Sequence, residues 1–186
     1  MITLEKAIEI AKQAHDGQYG KPKTVVTDSW DCYKVKEPTI HENGNKIQWV
    51  THDTFLVYEP YITHSLAVME MMDTEEEKIV AVLHDILEYS DYICSAHISG
   101  RDAYISKVVD TEFKKENEVS IEIWSALHSL KSDKNITYEE YITKISKNRL
   151  ATKVKLADIF HNMSCEPSER AKKKYLKAIP VLLKGI

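Results

Sequence analysis

Apolar positions recur every three to four residues over most of the chain, with one interruption. Leu4, Ala7, Ile8, Ala11 and Ala14 form the first such stripe, and Thr3 is placed to cap it, so the spacing predicts a helix over 3–18. From 20 to 57 the pattern changes. Val25, Val26, Trp30, Ile40, Ile47, Trp49, Val50, Phe55 and Val57 are strand formers, and Asn43-Gly44 is a strong two-residue hairpin signal. This stretch is short for an independent core and reads as an inserted β-hairpin excursion near residues 22–57, not a second domain.

Helical spacing returns at about Tyr61 and lasts to Met72. Thr74 and Glu77 fit a capping box, opening a helix through Ile79, Val82, Leu83, Ile86 and Leu87. Residues 89–118 read as a loop with one short helix. Helices follow over Val119–Leu130, from a second capping box at Thr137 and Glu140 to about Lys147, over Leu150–Met163, and over Ser168–Leu183 with Pro180 as a kink or near-terminal break. No internal repeat is visible. The fold class this predicts is all-α, a helical bundle carrying the excursion, with residues 1–186 as a single domain.

Composition narrows the function classes. Lys and Arg number 25 against 29 Asp and Glu, a formal charge of −4, and no basic stripe stands out. Nucleic acid is therefore not an expected partner. No apolar run approaches the roughly 18–20 residues of a membrane span, and the N-terminus lacks the apolar stretch of a secretory signal. Cys32, Cys94 and Cys165 are scattered, with no CxxC pair, so a reducing cytoplasm is the default setting. The expected partner is a small molecule; the oligomeric state is left open.

Three islands carry chemistry: Tyr61-Ile62-Thr63-His64, Leu83-His84-Asp85 and Lys155-Leu156-Ala157-Asp158. Each sets a potential metal ligand on a helix or at its end. Adjacent helical residues differ by about 100° in direction, so His84 and Asp85 can share one ion only if other ligands approach between them. His64 and Asp158, on two other helices, are candidates for that role. Two imidazoles and two carboxylates suit a divalent Mn, Fe, Co or Zn ion. A water acidified by such an ion is a nucleophile. A lone His on an apolar helix is usually a packed, hydrogen-bonded residue, and a His-Asp dipeptide alone is weak. The order His…His-Asp…Asp, with its flanking sequence, is what raises the reading.

That flanking sequence resembles the HD hydrolase domains of the RelA/SpoT family and their small stand-alone relatives. The matching stretches are Ala14-His15-Asp16-Gly17-Gln18, Glu59-Pro60-Tyr61-Ile62-Thr63-His64, Ala81-Val82-Leu83-His84-Asp85-Ile86-Leu87-Glu88, Tyr138-Glu139-Glu140-Tyr141-Ile142 and, most specifically, Val154-Lys155-Leu156-Ala157-Asp158-Ile159-Phe160-His161-Asn162-Met163. The resemblance spans most of the chain outside 22–57 and part of 92–118. It implies hydrolysis of the 3′-pyrophosphate of ppGpp, usually with Mn²⁺, and metal ligands at His64, His84, Asp85 and Asp158. It implies Glu88, four residues after His84, as the acid beside the attacking water, and Asn162 and Lys21 as contacts to substrate ribose or phosphate. As an exposed loop lysine Lys21 is equally ordinary. His161, Lys153 and Lys155 read as packing or exposed helix residues.

The chain differs from that family at two positions. Where the family has a second acid after Glu88, this chain has Tyr89, and Asp91 is the nearest candidate substitute. Where ppGpp hydrolases of the family commonly carry Arg, this chain has Gly20. Three functions therefore stay open. One is a (pyro)phosphohydrolase of a ppGpp-like alarmone. Another is a hydrolase of a different nucleotide, of the NADPH phosphatase or 5′-nucleotidase type. The third is a degenerate HD protein that binds a nucleotide without turnover. The aromatic residues of the excursion (Trp30, Tyr33, Trp49, Phe55, Tyr58) suit a lid, a substrate wall or plain hairpin packing, with packing favoured.

Overall fold

The computed structural model describes residues 1–21, 23–26, 39–40, 44–49, 54–87 and 113–186. These fall into two compact units, Met1–Ala14 with Ser65–Ile186, and His15–His64.

The first unit is helical: α1 Leu4–Ala14, α2 Ile62–Glu70 (which starts within the second unit), α3 Glu75–Leu83, α4 Ile121–Leu130, α5 Tyr138–Ile145, α6 Arg149–Ser164 and α7 Glu169–Leu182, closed by a 3₁₀ turn at Leu183–Gly185. The chain is mostly helical, as its periodicity predicts. α1 is shorter than 3–18, because Gly17 takes a left-handed φ of 70° and turns the backbone out of the helix. Both capping boxes form: Thr74 with Glu77, and Thr137 with Glu140, each giving and receiving the reciprocal bonds. Ser120, Asn148 and Ser168 cap α4, α6 and α7 with side-chain oxygens that accept from the third residue on. Pro180 sits inside α7, which continues only to Leu182 before the 3₁₀ turn.

α6 is the hub. It packs against α3, α4, α5 and α7, while α1 lies on α3. Ala151, Thr152, Val154, Leu156, Ala157, Asp158 and Ile159 are all buried, so α6 has no single apolar stripe. A helix enclosed on several sides must satisfy its polar members internally. Thr152 does so by donating its hydroxyl to the Ile145 carbonyl at 3.0 Å.

The second unit holds a four-stranded antiparallel sheet in the order β1-β4-β3-β2, from β1 Lys23–Val26, β2 Thr39–Ile40, β3 Lys46–Trp49 and β4 Thr54–Tyr58. The excursion is thus strand structure, as expected, but with more strands than one hairpin supplies. β1 pairs with β4 (Lys23 opposite Val57) and β3 with both β4 (Lys46 opposite Tyr58) and β2 (Thr39 opposite Ile47). A bridge between Tyr19 and Pro60, with Gly20 N–H donating to the Glu59 carbonyl at 2.9 Å, carries the β1–β4 pairing toward the unit's ends. Gly44 has φ 82°, the conformation a turn glycine supplies; Asn43, Trp30 and Tyr33 lie outside the described residues.

Candidate metal centre

α3 delivers His84 and Asp85, but not from mid-helix. The sequence predicts a helix running unbroken to Leu87; the structure ends α3 at Leu83, with His84 as C-cap at φ −59° and ψ −31°. The His84 ring accounts for this. Its Nδ1 lies 2.7 Å from the Ala81 carbonyl. In a continuing helix that carbonyl would take the Asp85 amide. The imidazole competes for it, the backbone turns at His84–Asp85, and helical geometry resumes at 86–87. With Nδ1–H donating to a carbonyl, the tautomer is set and Nε2 is the ring's ligand atom.

Nε2 of His84 sits 3.2 Å from Asp85 Oδ1 and 3.9 Å from Asp158 Oδ1. His84 and Asp158 are buried; Asp85 is partly so. His64 lies in the first turn of α2, a helix that is continuous from there to Glu70. One ligand atom from each of His64, His84 and Asp85 lies within 4.8 Å of the others, a group that can hold a metal ion. Two imidazole nitrogens and a carboxylate oxygen, one ring fixed by its own hydrogen bond, fit a divalent ion of intermediate hardness.

Asp158 stands beside this group and is held at both oxygens. Lys155 Nζ is 2.6 Å from Oδ2, and Asn162 Nδ2 donates to Oδ1 at 2.5 Å and to the Asp158 backbone carbonyl at 2.9 Å. Residues 155, 158 and 162 follow at helical spacings of three and four, so α6 presents the three together. Burial disfavours the charged Lys155 ammonium. The Asp158 carboxylate outweighs it, with Tyr141 and Asp85 adding to the effect, and holds the ammonium well above its ordinary value. The ammonium also lies 5.6 Å from the Tyr141 ring centroid. Tyr138 is nearby on α5. Burial pushes its phenol up to about 12, the Lys155 charge opposing this and Tyr175 and Asp158 adding to it.

Of the residues singled out from the sequence, His64, His84 and Asp85 come together and Asp158 adjoins them. Asn162 reaches the Asp158 carboxylate. Lys21 is an exposed residue of the sheet unit. Glu88, Tyr89 and Asp91 lie outside the described residues. Lys153 and Lys155 correct the expectation of exposed helix lysines. Lys153 pairs with Glu77 of α3, and Lys155 with Asp158. The signal was available: both lie in the run 151–159, whose other members are apolar, threonine or aspartate, so a cation there needed a buried anion. His15 is buried too, its Nδ1 3.0 Å from Gln18 Oε1 and its ring 5.0 Å from that of Tyr61. Among the described residues no helix is long and apolar enough to cross a membrane. Compared with known proteins, the chain matches no family model and none of the curated proteins.

Proposed function

We propose that this chain is a metal-dependent phosphohydrolase of the HD type that acts on a nucleotide, a ppGpp-like alarmone before others. The observation that carries the reading is the grouping of His64, His84 and Asp85 beside an Asp158 carboxylate fixed by Lys155 and Asn162. The sequence resemblance to RelA/SpoT hydrolase domains assigns these same four residues to a metal, and it is the support for the reaction class.

In this reading His64, His84, Asp85 and Asp158 hold one divalent ion, Mn²⁺ by resemblance, with Fe, Co or Zn compatible with the donors. When bound, such an ion supplies Lewis acidity that polarises a phosphoryl oxygen and makes water a better nucleophile. The protein does the positioning. His84 offers Nε2 because Ala81 holds its other nitrogen. Asn162 and Lys155 fix both oxygens of Asp158. Glu88, assisted by Asp91, takes the proton from the attacking water. The resemblance assigns Lys21 to a substrate phosphate. Tyr89 stands where the family has the second acid that helps activate water and Gly20 where it has an arginine near the guanine, so another nucleotide is the alternative within the same chemistry.

The test is release of phosphate and pyrophosphate from a nucleotide panel that includes ppGpp, with Mn²⁺ present, comparing the native chain with Asp85→Ala. Release from ppGpp that the substitution reduces by at least about a thousandfold is the expected outcome. Release from another nucleotide alone keeps the chemistry and reassigns the substrate. No release from any member, in protein that holds metal, overturns the enzyme reading in favour of nucleotide binding without turnover.

A further inference from the structure

α5 carries two tyrosines three residues apart, and the structure treats their hydroxyls differently. Tyr141 is buried, and its hydroxyl donates to the Leu130 carbonyl at 2.5 Å. Tyr138 opens the helix directly after its cap, Thr137. Its ring centroid lies 6.1 Å from that of Tyr141, and the Lys174 ammonium of α7 stands 3.9 Å from it. The Tyr138 ring is therefore held from two sides, by a neighbour on its own helix and by a cation. Its hydroxyl is not so held: the Tyr138 Oη is shut off from solvent and has no hydrogen-bond partner among the described residues.

A buried hydroxyl without a partner lowers the stability of a fold, so such groups are few and call for a reason. The position of Tyr138 supplies one. α5 packs against α6 and α7, and the groups acting on the Tyr138 phenol include Lys155 and Asp158 of α6, which adjoin the candidate metal centre. Burial, the main influence on this phenol, keeps it protonated, so it is a neutral donor at any ordinary pH. A donor fixed in place and closed to bulk water is ready for an anionic oxygen, with no hydration to remove and no ring to reorient.

We propose that the Tyr138 hydroxyl is a substrate-binding donor of this site: it gives its hydrogen bond to an oxygen of a bound phosphate group, a bond left unmade in the free chain. This deepens the phosphohydrolase reading and rests on it. Tyr141 is the structural counterpart on the same helix, its bond already made within the fold.

The experiment takes the full chain, loads it with Mn²⁺ and titrates it with inorganic phosphate by calorimetry. Thermal unfolding of the chain without Mn²⁺ or phosphate is followed alongside. Tyr138→Phe removes the oxygen and keeps the ring. Phosphate binding is expected to weaken on the order of tenfold, Mn²⁺ binding to stay within a few-fold, and the melting temperature to hold or rise. Tyr141→Phe loses a hydroxyl that has its partner, so the opposite pattern is expected: a lower melting temperature with phosphate binding within a few-fold of native. Phosphate affinity unchanged in Tyr138→Phe, Mn²⁺ affinity lost in step with it, or a loaded native chain that binds no phosphate each overturns the proposal and leaves the metal reading standing. A melting temperature that falls in Tyr138→Phe as it does in Tyr141→Phe also overturns it, since the hydroxyl then has a structural partner; failure of the variant to fold is the extreme of that result. A native chain that binds no Mn²⁺ overturns the metal reading, and the proposal with it.

Discussion

Glu77 is a carboxylate with three duties. Its Oε2 accepts from the backbone N–H of Asp73 at 3.1 Å and of Thr74 at 3.2 Å, and its Oε1 is paired with Lys153 of α6. Burial pushes its carboxyl up; the Lys153 and backbone bonds push it down and win, leaving it below its ordinary value of 4.5. A depressed folded-state value means that the ionised side chain adds stability above pH 4.5 and loses it as pH falls through the folded value. Glu77→Gln is therefore expected to destabilise the chain by about 1–2 kcal/mol at pH 7, a gap that narrows below pH 4.5 in urea unfolding. A gap that is constant with pH would contradict the assignment. The contrast with Lys153 and Lys155 shows what was legible at this scale. Thr74 and Glu77 announce their capping box by spacing alone, because both partners are local. The partner of Lys153 is set by which helix faces which, whereas that of Lys155 is three residues on along α6; for both, only the enclosed character of α6 hints at burial.

Elements were legible in proportion to how local their determinants are. α4, α5, α6 and α7 begin within two residues of the starts predicted at Val119, Thr137, Leu150 and Ser168. α3 ends earlier than its apolar spacing implies, because a side-chain bond from His84 to Ala81 is invisible to periodicity. The strands at 22–57 were legible from β-branched and aromatic residues, but the order β1-β4-β3-β2 was not, since alternation fixes faces and not partners. The C-terminal 3₁₀ turn illustrates a packing constraint of the same kind. A Cβ on Gly185 would run into the backbone carbonyl of Ser146, which follows α5. Gly185→Ala is expected to lower stability by about 1–3 kcal/mol, read as a lower melting temperature at unchanged helical content. An unchanged melting temperature would mean that this turn is not held against α5.

For the whole molecule, the four expected ligands come from separate stretches of chain, at His64 in α2, His84 and Asp85 at the end of α3, and Asp158 in α6. Their order along the sequence, more than any one residue, made them stand out, and three of them meet in one group. Lys155 and Asn162 reach Asp158 at spacings of three and four along α6, a local arrangement; its burial was hidden, because that depends on α6 being enclosed by its neighbours. A site assembled from distant segments exists only in the folded chain, so an ion that binds it must stabilise folding by mass action. At a free ion concentration about 100 times Kd this amounts to about 2.7 kcal/mol. The most direct measurement is thermal unfolding of the native chain and of Asp85→Ala against rising Mn²⁺. The account predicts a melting temperature that climbs with Mn²⁺ in the native chain, falls back on chelation, and barely moves in Asp85→Ala. A melting temperature indifferent to Mn²⁺ in the native chain, or one that rises equally in both, would contradict it.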